Sequence, residues 1–496
     1  KDAYLYEEHY DDVTGYSNPH ESEHDFFTVG HTSTSISLAA GLAKARDLQG
    51  AEGNVIAVIG DGSLSGGEAL EGLDYAKELD GNLIIVVNDN DMSIAENHGG
   101  LYTNLKLLRD TKGTAECNLF RAMGLDYYYV HEGNDVAALI DTFQKVKDSK
   151  KPVVVHIRTL KGKGYAPAEE HKEQWHYSGP FDIETGRSLF EGDEEDYSSV
   201  SCDYLLDKMK KDPKVVAITA GTPTVIGFTE DKRREAGKQF VDVGIAEETA
   251  VALASGIAAG GGKPVFGVYS SFVQRTFDQI SQDLCINNNA ATIVTFAGSV
   301  YVTHLGFQDI PMLSNIPNLV YLAPTTKEEY IAMLDWSIEQ NEHPVAIKLP
   351  GGAMVSGRPV TKNFGDLNKY EVTQKGSKVA LLGLGTFYSL ANAVADEMKS
   401  ELGIDATVIN PYYITGLDEE LLESLKADHS VVVTIEDGIL DGGFGEKIAR
   451  FYGDSDMKVL NYGLKKEFLD RYDVEEVLKD NRLDAEMIAE DVKGLL

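Results

Sequence analysis

Short apolar, β-branched runs alternate with helix-length segments along the whole chain, and this alternation restricts the fold more than any other feature of the sequence. The runs are apolar at consecutive positions, which is typical of strands covered on both faces. Nine of them occur, at 55–59, 83–87, 152–157, 215–219, 265–269, 319–323, 345–348, 379–382 and 431–435. Strands of this kind, separated by helices, form parallel sheets. The sequence therefore predicts an α/β fold with mostly parallel sheets.

Two segments interrupt this rhythm and divide the chain. The 496 residues are too many for a single hydrophobic core. Residues 179–199 and 351–368 lose the strand and helix pattern and gain charge, glycine or proline. We predict three successive domains, at residues 1–185, 186–355 and 356–496.

Charge and cysteine content exclude several classes of protein. The formal charge of −35, from 45 basic and 80 acidic side chains, opposes binding to nucleic acid or an anionic membrane. No apolar stretch approaches the roughly 20 residues that span a bilayer. Cys117, Cys202 and Cys285 are distant from one another and odd in number, which fits neither a disulfide framework nor a zinc site and indicates a reducing cytoplasm. Since residue 1 is lysine and no signal segment follows it, we expect the start of the gene product to be absent.

Polar and glycine residues follow two neighbouring predicted strands. Gly60-Asp61-Gly62-Ser63 comes directly after the run 55–59, and Asn90 follows the run 83–87, 29 positions beyond Asp61. The carboxyl ends of parallel strands lie at one edge of a sheet, where open α/β sheets bind ligands. Glycines let the backbone approach a phosphate, and Asp61 and Asn90 offer the oxygen ligands that Mg²⁺ prefers. Either segment alone would be an ordinary turn, but together they predict a site for magnesium and a diphosphate.

This pair resembles the thiamine diphosphate signature of transketolases and pyruvate decarboxylases. Over nearly its whole length the chain is similar to the 1-deoxy-D-xylulose-5-phosphate synthase family, through residues 21–25, 30–37, 60–63, 88–94, 161–169, 242–247 and 269–279. The resemblance implies a transketolase-like fold, whose three domains would be diphosphate-binding, pyrimidine-binding and transketolase C-terminal-like. It also implies a homodimer, a role in isoprenoid biosynthesis, and thiamine diphosphate with Mg²⁺ as cofactors.

The resemblance also implies the roles of individual residues. Glu247 corresponds to the family carboxylate that hydrogen-bonds the cofactor aminopyrimidine and promotes loss of its C2 proton. From the residues alone, Glu247 could instead be a carboxylate at a helix start that stabilises the helix dipole. Phe272 would stack on the aminopyrimidine, with a plain core role as the alternative. The implied metal ligands are Asp61, Asn90 and the main chain of Met92, and the implied cofactor-binding set is Gly30, His31, Thr32, Asp61, Gly62, Ser63, Asn90, Met92, Tyr165, Glu247 and Phe272.

Further residues are candidates for contact with the substrate. Arg275 could orient a substrate oxygen or form a buried ion pair with Asp278 or Asp242. His304 and His176 correspond to family histidines of the substrate channel, although a structural role is the common one for a lone histidine. The predicted catalytic set is Glu247, His304, His31 and Arg275.

The chain departs from the family where a phosphorylated acceptor would bind. The family places arginines in Asp-Arg-Ala-Gly and Tyr-Pro-Arg-Gly segments, which here read Thr-Phe-Ala-Gly at 295–298 and Leu-Pro-Gly-Gly at 349–352. The family sequence Asp-Gly-Pro-Thr-His is replaced by Val-Tyr-Val-Thr-His at 300–304. Loss of two bidentate arginine contacts predicts weak binding of an acceptor phosphate. Lys348 could replace one of them, or it could lay its stem on the core with its charge in water.

Three hypotheses for the function follow. The first is the synthase reaction of pyruvate with glyceraldehyde 3-phosphate. The second is a related enzyme with a 2-oxo acid or ketose donor and a different, unphosphorylated aldehyde acceptor. The third is a silent relative that binds the cofactor or a partner for regulation. Retention of Asp61, Asn90 and Glu247 argues against the third, because a protein that needs only the fold has no use for this set.

Overall fold

Three successive α/β units make up the computed structural model, which describes residues 16–189, 195–302, 307–357, 360, 362–469 and 472–496. The first unit comprises residues 16–189, the second the described residues of 195–357, and the third those of 360–496. Each unit contains one sheet, so the predicted α/β class with mostly parallel sheets is confirmed, while the domain boundaries within the two linkers remain predictions. None of the helices in the described ranges has the length and apolar character needed to cross a bilayer.

The first unit is built on a sheet of four parallel strands in the order β1-β2-β4-β3. Apolar side chains on both faces of β2 and β4 pack under helices, which explains their continuous apolar runs, whereas Ile56 and Val58 on one face of the edge strand β1 are exposed. In the β1-β2 register Gly60 pairs with Asn88, so the two strands end side by side. The elements are α1 Ser35–Gln49, β1 Ile56–Gly60, α2 Gly67–Ala76, β2 Ile84–Asp89, α3 Gly100–Asp110, α4 Leu119–Ala122, β3 Asp126–Val130, α5 Val136–Val146, β4 Val153–Arg158 and α6 Ala166–Glu170.

The second unit has six parallel strands in the order β6-β5-β7-β8-β10-β9. Apart from the partly buried edge strand β6, its strands are mostly buried and belong to the largest core cluster of the described residues. The elements are α7 Tyr197–Met209, β5 Val215–Thr219, α8 Glu230–Ala236, β6 Phe240–Asp242, α9 Glu247–Ala259, β7 Lys263–Tyr269, β8 Thr292–Phe296, α10 Asp309–Leu313, β9 Val320–Leu322, α11 Lys327–Glu339 and β10 Val345–Lys348.

The third unit has the strand order β11-β13-β12-β14-β15, in which only β11 runs antiparallel to its neighbour. Tyr413, Phe444 and Ile448 of this unit belong to the same buried cluster as the second sheet, so the two units share one core. The elements are β11 Glu371–Gln374, β12 Lys378–Gly383, α12 Tyr388–Leu402, β13 Thr407–Asn410, α13 Glu419–Leu425, β14 His429–Ile439, α14 Phe444–Phe451, β15 Lys458–Leu464, α15 Val474–Asp480 and α16 Ala485–Lys493.

Polar contacts join the first unit to the second. Arg233, on α8, is buried and donates hydrogen bonds to the carboxylates of Glu173, at 2.8 and 3.0 Å, and of Glu96, at 2.7 Å. The Ile245 main-chain N–H donates to Ser65 Oγ at 2.9 Å. Bidentate arginine pairs fix orientation as well as separation. The junction between these units is therefore held in a defined geometry, and it contains the candidate site.

Candidate active site

A cavity of about 380 Å³ lies between the first and second units. The first unit contributes residues that follow β1 and β2, and the second contributes residues that follow β5 and β6 and the start of α9. The lining residues are Gly30, Thr32, Gly60, Asp61, Gly62, Ser63, Asn90, Met92, Ser93, Ile94, Lys161, His176, Ala220, Gly221, Thr222, Ile245, Glu247, Phe272 and Arg275. Most of the residues that the sequence predicts for the cofactor site thus meet in one place.

Asp61 and Asn90 lie together at the ends of β1 and β2. The side chain of Asp61 is 1% exposed, and its Oδ2 accepts a hydrogen bond from Asn97 Nδ2 at 2.8 Å. Burial, together with the nearby Asp89 carboxylate, raises the pKa of Asp61 to about 7. Asn90 Oδ1 is buried and, among the described residues, has no hydrogen-bond partner. A buried acid that resists ionisation beside an unpartnered oxygen fits a site for a hard cation.

A buried ionic network supports the loop that carries Asn90. Arg109, on α3, donates to both carboxylate oxygens of Asp89, at 2.7 and 2.8 Å, and also to Asp91. His156 Nε2 lies 2.8 Å from Asp89 Oδ2, and its Nδ1 lies 2.8 Å from the hydroxyl of Tyr127. Asp91 has a φ of 64°, a left-handed conformation that is unfavourable for most residues. Its contact with Arg109 stabilises this turn between Asn90 and Met92.

Lys161 is a cavity residue that the sequence interpretation did not assign, although it begins the segment 161–169 on which the resemblance rests. Its ammonium group donates to Ser93 O and lies 2.9 Å from His176 Nδ1. Burial lowers the pKa of Lys161 and of His176. His176, left open between a channel role and a structural role, lines the cavity and packs against this lysine. In the sequence, this role was indicated by a lysine within the segment 161–169, which resembles the family.

Gly62, Ser63 and Thr32 form the wall next to Asp61. The hydroxyls of Ser63 and Thr32 hydrogen-bond each other. A Cβ added to Gly62 would lie 2.9 Å from Ser93 Oγ, so glycine is required by this close approach. The Tyr102 hydroxyl donates a hydrogen bond to Gly62 O at 3.0 Å and stabilises this turn.

The remaining predicted residues occupy different places. His31 lies behind the lining, where its Nε2 is 2.8 Å from Ser271 O and its ring meets Phe272 edge to face at 5.3 Å. Burial lowers the pKa of His31. Tyr165 is not among the lining residues, because its hydroxyl donates to Ile183 O at 3.1 Å and its ring packs on Trp175 and Phe181. His304 lies outside the described residues.

Glu247 faces the cavity from the second unit as the first residue of α9. It is 2% exposed, and among the described residues its Oε2 has no hydrogen-bond partner. Burial raises the pKa of Glu247, and the Arg275 guanidinium, 3.6 Å away, opposes this shift. Arg275 thus pairs with Glu247, and the alternative of an ion pair with Asp278 or Asp242 is wrong. Asp242 Oδ1 instead accepts from the main-chain N–H groups of Gly221 and Gly244.

The segments that lack the family arginines are closely packed. A Cβ on Gly351 would lie 2.1 Å from Ser299 Oγ, so a side chain cannot be added here without displacing Ser299. The ring of Tyr301 lies 3.6 Å from the Cβ position of Gly352. Phe296, at the other lost arginine position, is buried in the core of the second unit.

Lys348 does not replace those arginines. Its side chain is 5% exposed, and its ammonium group donates to Asp309 Oδ2 at 2.7 Å and to Gly298 O. Both expectations for this residue are wrong, since its charge neither reaches water nor is free for a phosphate. Buried ions require such internal partners because desolvation is costly.

No group of three or more His, Cys, Asp or Glu side chains suited to a metal ion occurs in the described ranges. A cation at Asp61 would therefore depend on one carboxylate, the Asn90 amide oxygen and main-chain oxygens, a set that suits Mg²⁺ and disfavours zinc.

Family models match three parts of the chain. The model described as 1-deoxy-D-xylulose-5-phosphate synthase matches residues 5–118 and 109–159. Those described as transketolase pyrimidine binding domain and transketolase C-terminal domain match residues 194–354 and 368–488.

Curated relatives match nearly the whole chain. The 1-deoxy-D-xylulose-5-phosphate synthase of Clostridium beijerinckii is 37% identical over 530 residues, covering 98% of this chain and 85% of the relative. The 1-deoxy-D-xylulose-5-phosphate synthase 2 of Geobacter sulfurreducens is 36% identical, covering 97% and 84%. A solved structure titled split gene transketolase, inactive beta4 tetramer, aligns with a TM-score of 0.50 and 22% identity, over 60% of this chain and 96% of its own, and supports the fold.

Arg109→Gln tests the support of the Asn90 loop. Removing the guanidinium leaves the buried Asp89 with His156 as its side-chain partner and releases Asp91, so we expect Mg²⁺ affinity in the presence of thiamine diphosphate to fall about 10- to 100-fold. Isothermal titration calorimetry measures this affinity. Lys106→Gln, on the exposed side of the same helix, is the matched control and should leave it unchanged. Equal metal affinity in both variants would show that the network does not position the loop.

Proposed function

The chain belongs to the 1-deoxy-D-xylulose-5-phosphate synthase family, and from this premise we propose that it decarboxylates pyruvate and joins the two-carbon unit to an aldehyde. It is a thiamine diphosphate-dependent transferase with a synthase-like function. One observation carries the proposal for the site. Two buried oxygens without hydrogen-bond partners among the described residues, Asn90 Oδ1 and Glu247 Oε2, belong to lining residues on opposite sides of one cavity.

The first unit supplies the groups for the charged end of the cofactor. Asp61, Asn90 and the main-chain oxygen of Met92 would hold Mg²⁺, which in turn would bind the diphosphate. Gly62 and Ser63 offer main-chain N–H groups and a hydroxyl beside it. Lys161 adds a positive charge to the same wall of the cavity. In a chain with a charge of −35, a local concentration of cations is required to hold a diphosphate.

The second unit supplies the acid-base group. When bound, thiamine diphosphate supplies a carbon nucleophile and a ring that accepts the electron pair released by decarboxylation. Glu247 is suited to share a proton with the cofactor ring because burial raises its pKa. Arg275 contacts both Glu247 and Thr32 O and thereby fixes this carboxylate relative to the first unit. Phe272 lines the cavity beside them and offers an aromatic surface for the ring.

A second candidate differs in the acceptor, which would be an unphosphorylated aldehyde. Both family arginines are absent, the space near Gly351 is filled, and Lys348 is committed to Asp309. An adjoining cleft of about 1150 Å³ shares Met92, Ile94 and His176 with the cavity. Five carboxylates line it, but those of Glu96 and Glu173 are paired with Arg233, that of Glu230 is paired with Arg234, and Lys172 lines the cleft beside Glu169 and Glu170. A neutral aldehyde is favoured because no residue that the structure describes replaces the phosphate contacts of the missing arginines.

We also propose a cytoplasmic homodimer. The family resemblance supports the dimer, and the three free cysteines support a reducing compartment. Sedimentation at micromolar concentration should give twice the chain mass of 54.1 kDa. A monomeric mass would exclude the dimer.

Glu247→Gln tests the acid-base assignment. The amide cannot exchange a proton as a carboxyl group does, so we expect exchange of the thiamine C2 proton to slow by at least about 100-fold. Magnesium-dependent cofactor binding should change little, because the diphosphate is held by the other unit. Proton NMR follows the exchange, and calorimetry follows the binding. Glu248→Gln, at the next position and only half-buried, is the control. Exchange at the original rate in Glu247→Gln would remove this residue from the mechanism.

The acceptor is identified by release of labelled carbon dioxide from pyruvate. The protein with Mg²⁺ and thiamine diphosphate is supplied with no acceptor, with glyceraldehyde 3-phosphate, or with glyceraldehyde. The missing arginines predict that glyceraldehyde stimulates release at least as strongly as its phosphate ester. Strong stimulation by the phosphate ester alone, with accumulation of 1-deoxy-D-xylulose 5-phosphate, would restore the synthase reaction and reject the second candidate.

A further inference from the structure

A second cleft, of about 900 Å³, lies between the second and third units. It shares no lining residue with the candidate active site. The walls come from the chain after α10, from the region before β11, and from α14 with the Gly442-Gly443 turn before it. Its volume is in the range of cavities that hold small metabolites.

Two cations of α14 line this cleft. Lys447 and Arg450 are three residues apart on the helix and so share a face. The half-buried Lys447 donates to the main-chain oxygens of Ser314 and Ile414, each at 3.3 Å. Neither cation has a carboxylate within 4.0 Å in the part of the chain that the structure describes. The buried cations Arg109, Arg233 and Lys348 all have carboxylate partners, whereas Lys447 is partly buried and Arg450 is exposed at the cleft.

The surroundings balance these charges only in part. Burial lowers the pKa of Lys447 to about 8, the nearby Glu436 carboxylate opposes this shift, and Arg450 adds to it. Glu446, the acidic residue in the lining, has its Oε2 occupied by the Gly442 N–H at 2.8 Å. On the facing wall Ser314 is 8% exposed, and its Oγ has no hydrogen-bond partner among the described residues. Two cations without a carboxylate within 4.0 Å among the described residues, beside an unused hydroxyl, give this wall of the cleft the donors and positive charge that an anion needs.

We propose that this cleft binds the phosphate group of a small phosphomonoester, with Lys447 and Arg450 as its cationic contacts. A phosphate monoester carries close to two negative charges near neutral pH, which matches the two cations. The planar guanidinium offers paired donors, and Lys447 adds a point charge. The cleft is larger than a phosphate ion, so there is room for a small polar organic body. Because Lys447 already contacts both units, a bound phosphate would strengthen their association, and the site is independent of the proposed catalysis.

The test uses the full chain with Mg²⁺ and thiamine diphosphate, so that the active site is filled. Inorganic phosphate, glucose 6-phosphate and glucose are titrated by calorimetry. We expect saturable binding of at least one of the phosphate probes, no binding of glucose, and at least about tenfold weaker binding in the double variant Lys447→Gln/Arg450→Gln. Tighter binding of the ester than of inorganic phosphate would show that the organic body is recognised as well.

Two further variants test whether weaker binding comes from a general change in charge or folding, and not from loss of the phosphate contacts. Lys479→Gln/Lys493→Gln removes the same charge from α15 and α16, away from the cleft, and should bind as the unaltered chain does. Arg450→Gln alone changes an exposed side chain, so it should fold normally and still weaken binding. The proposal is overturned if neither phosphate probe saturates below about 10 mM, or if the Lys447→Gln/Arg450→Gln and Lys479→Gln/Lys493→Gln variants bind equally well.

Discussion

Two buried oxygen atoms on opposite sides of a unit junction determine how the rest of the molecule must be arranged. Asn90 Oδ1 belongs to the first unit and Glu247 Oε2 to the second. Among the described residues neither has a hydrogen-bond partner, although Arg275 lies 3.6 Å from Glu247 Oε2. Each unsatisfied buried polar group destabilises a fold by about 1–3 kcal/mol. The cofactor proposed above would satisfy both groups, because it combines a metal-bound end with a basic ring.

The surrounding structure keeps these two groups in position before any ligand binds. The β1-β2 register brings Asp61 beside Asn90, and the Arg109 network supports the loop from below. Arg233 and Arg275 connect the two units at separate points. A site assembled from two units loses its geometry if the units shift by about 1 Å relative to each other. These contacts therefore hold the site in its functional geometry.

Much of the fold and of the candidate site could be predicted from the sequence, since the apolar runs of the strands and the paired motifs are properties of short, contiguous segments. Val215–Thr219 and Val345–Lys348 have the predicted bounds, while β8 was missed because Thr292 and Thr295 weaken its apolar pattern. Their hydroxyls are satisfied by Ser337 Oγ and by Ile347 O, partners that only the tertiary structure brings near. The pairing of Lys348 with Asp309, of Arg275 with Glu247, and of Tyr165 with Ile183 O depends in the same way on contacts between distant segments.

The central claim is that one cavity, formed by two units of the same chain, binds magnesium thiamine diphosphate. A crystal structure of the protein grown with Mg²⁺ and thiamine diphosphate tests it most directly. We expect metal density bound by Asp61, Asn90 and the Met92 main chain, with the Glu247 carboxylate at hydrogen-bond distance from the aminopyrimidine ring. Cofactor density at another place, or in this cavity with Glu247 turned away from the ring, would contradict it.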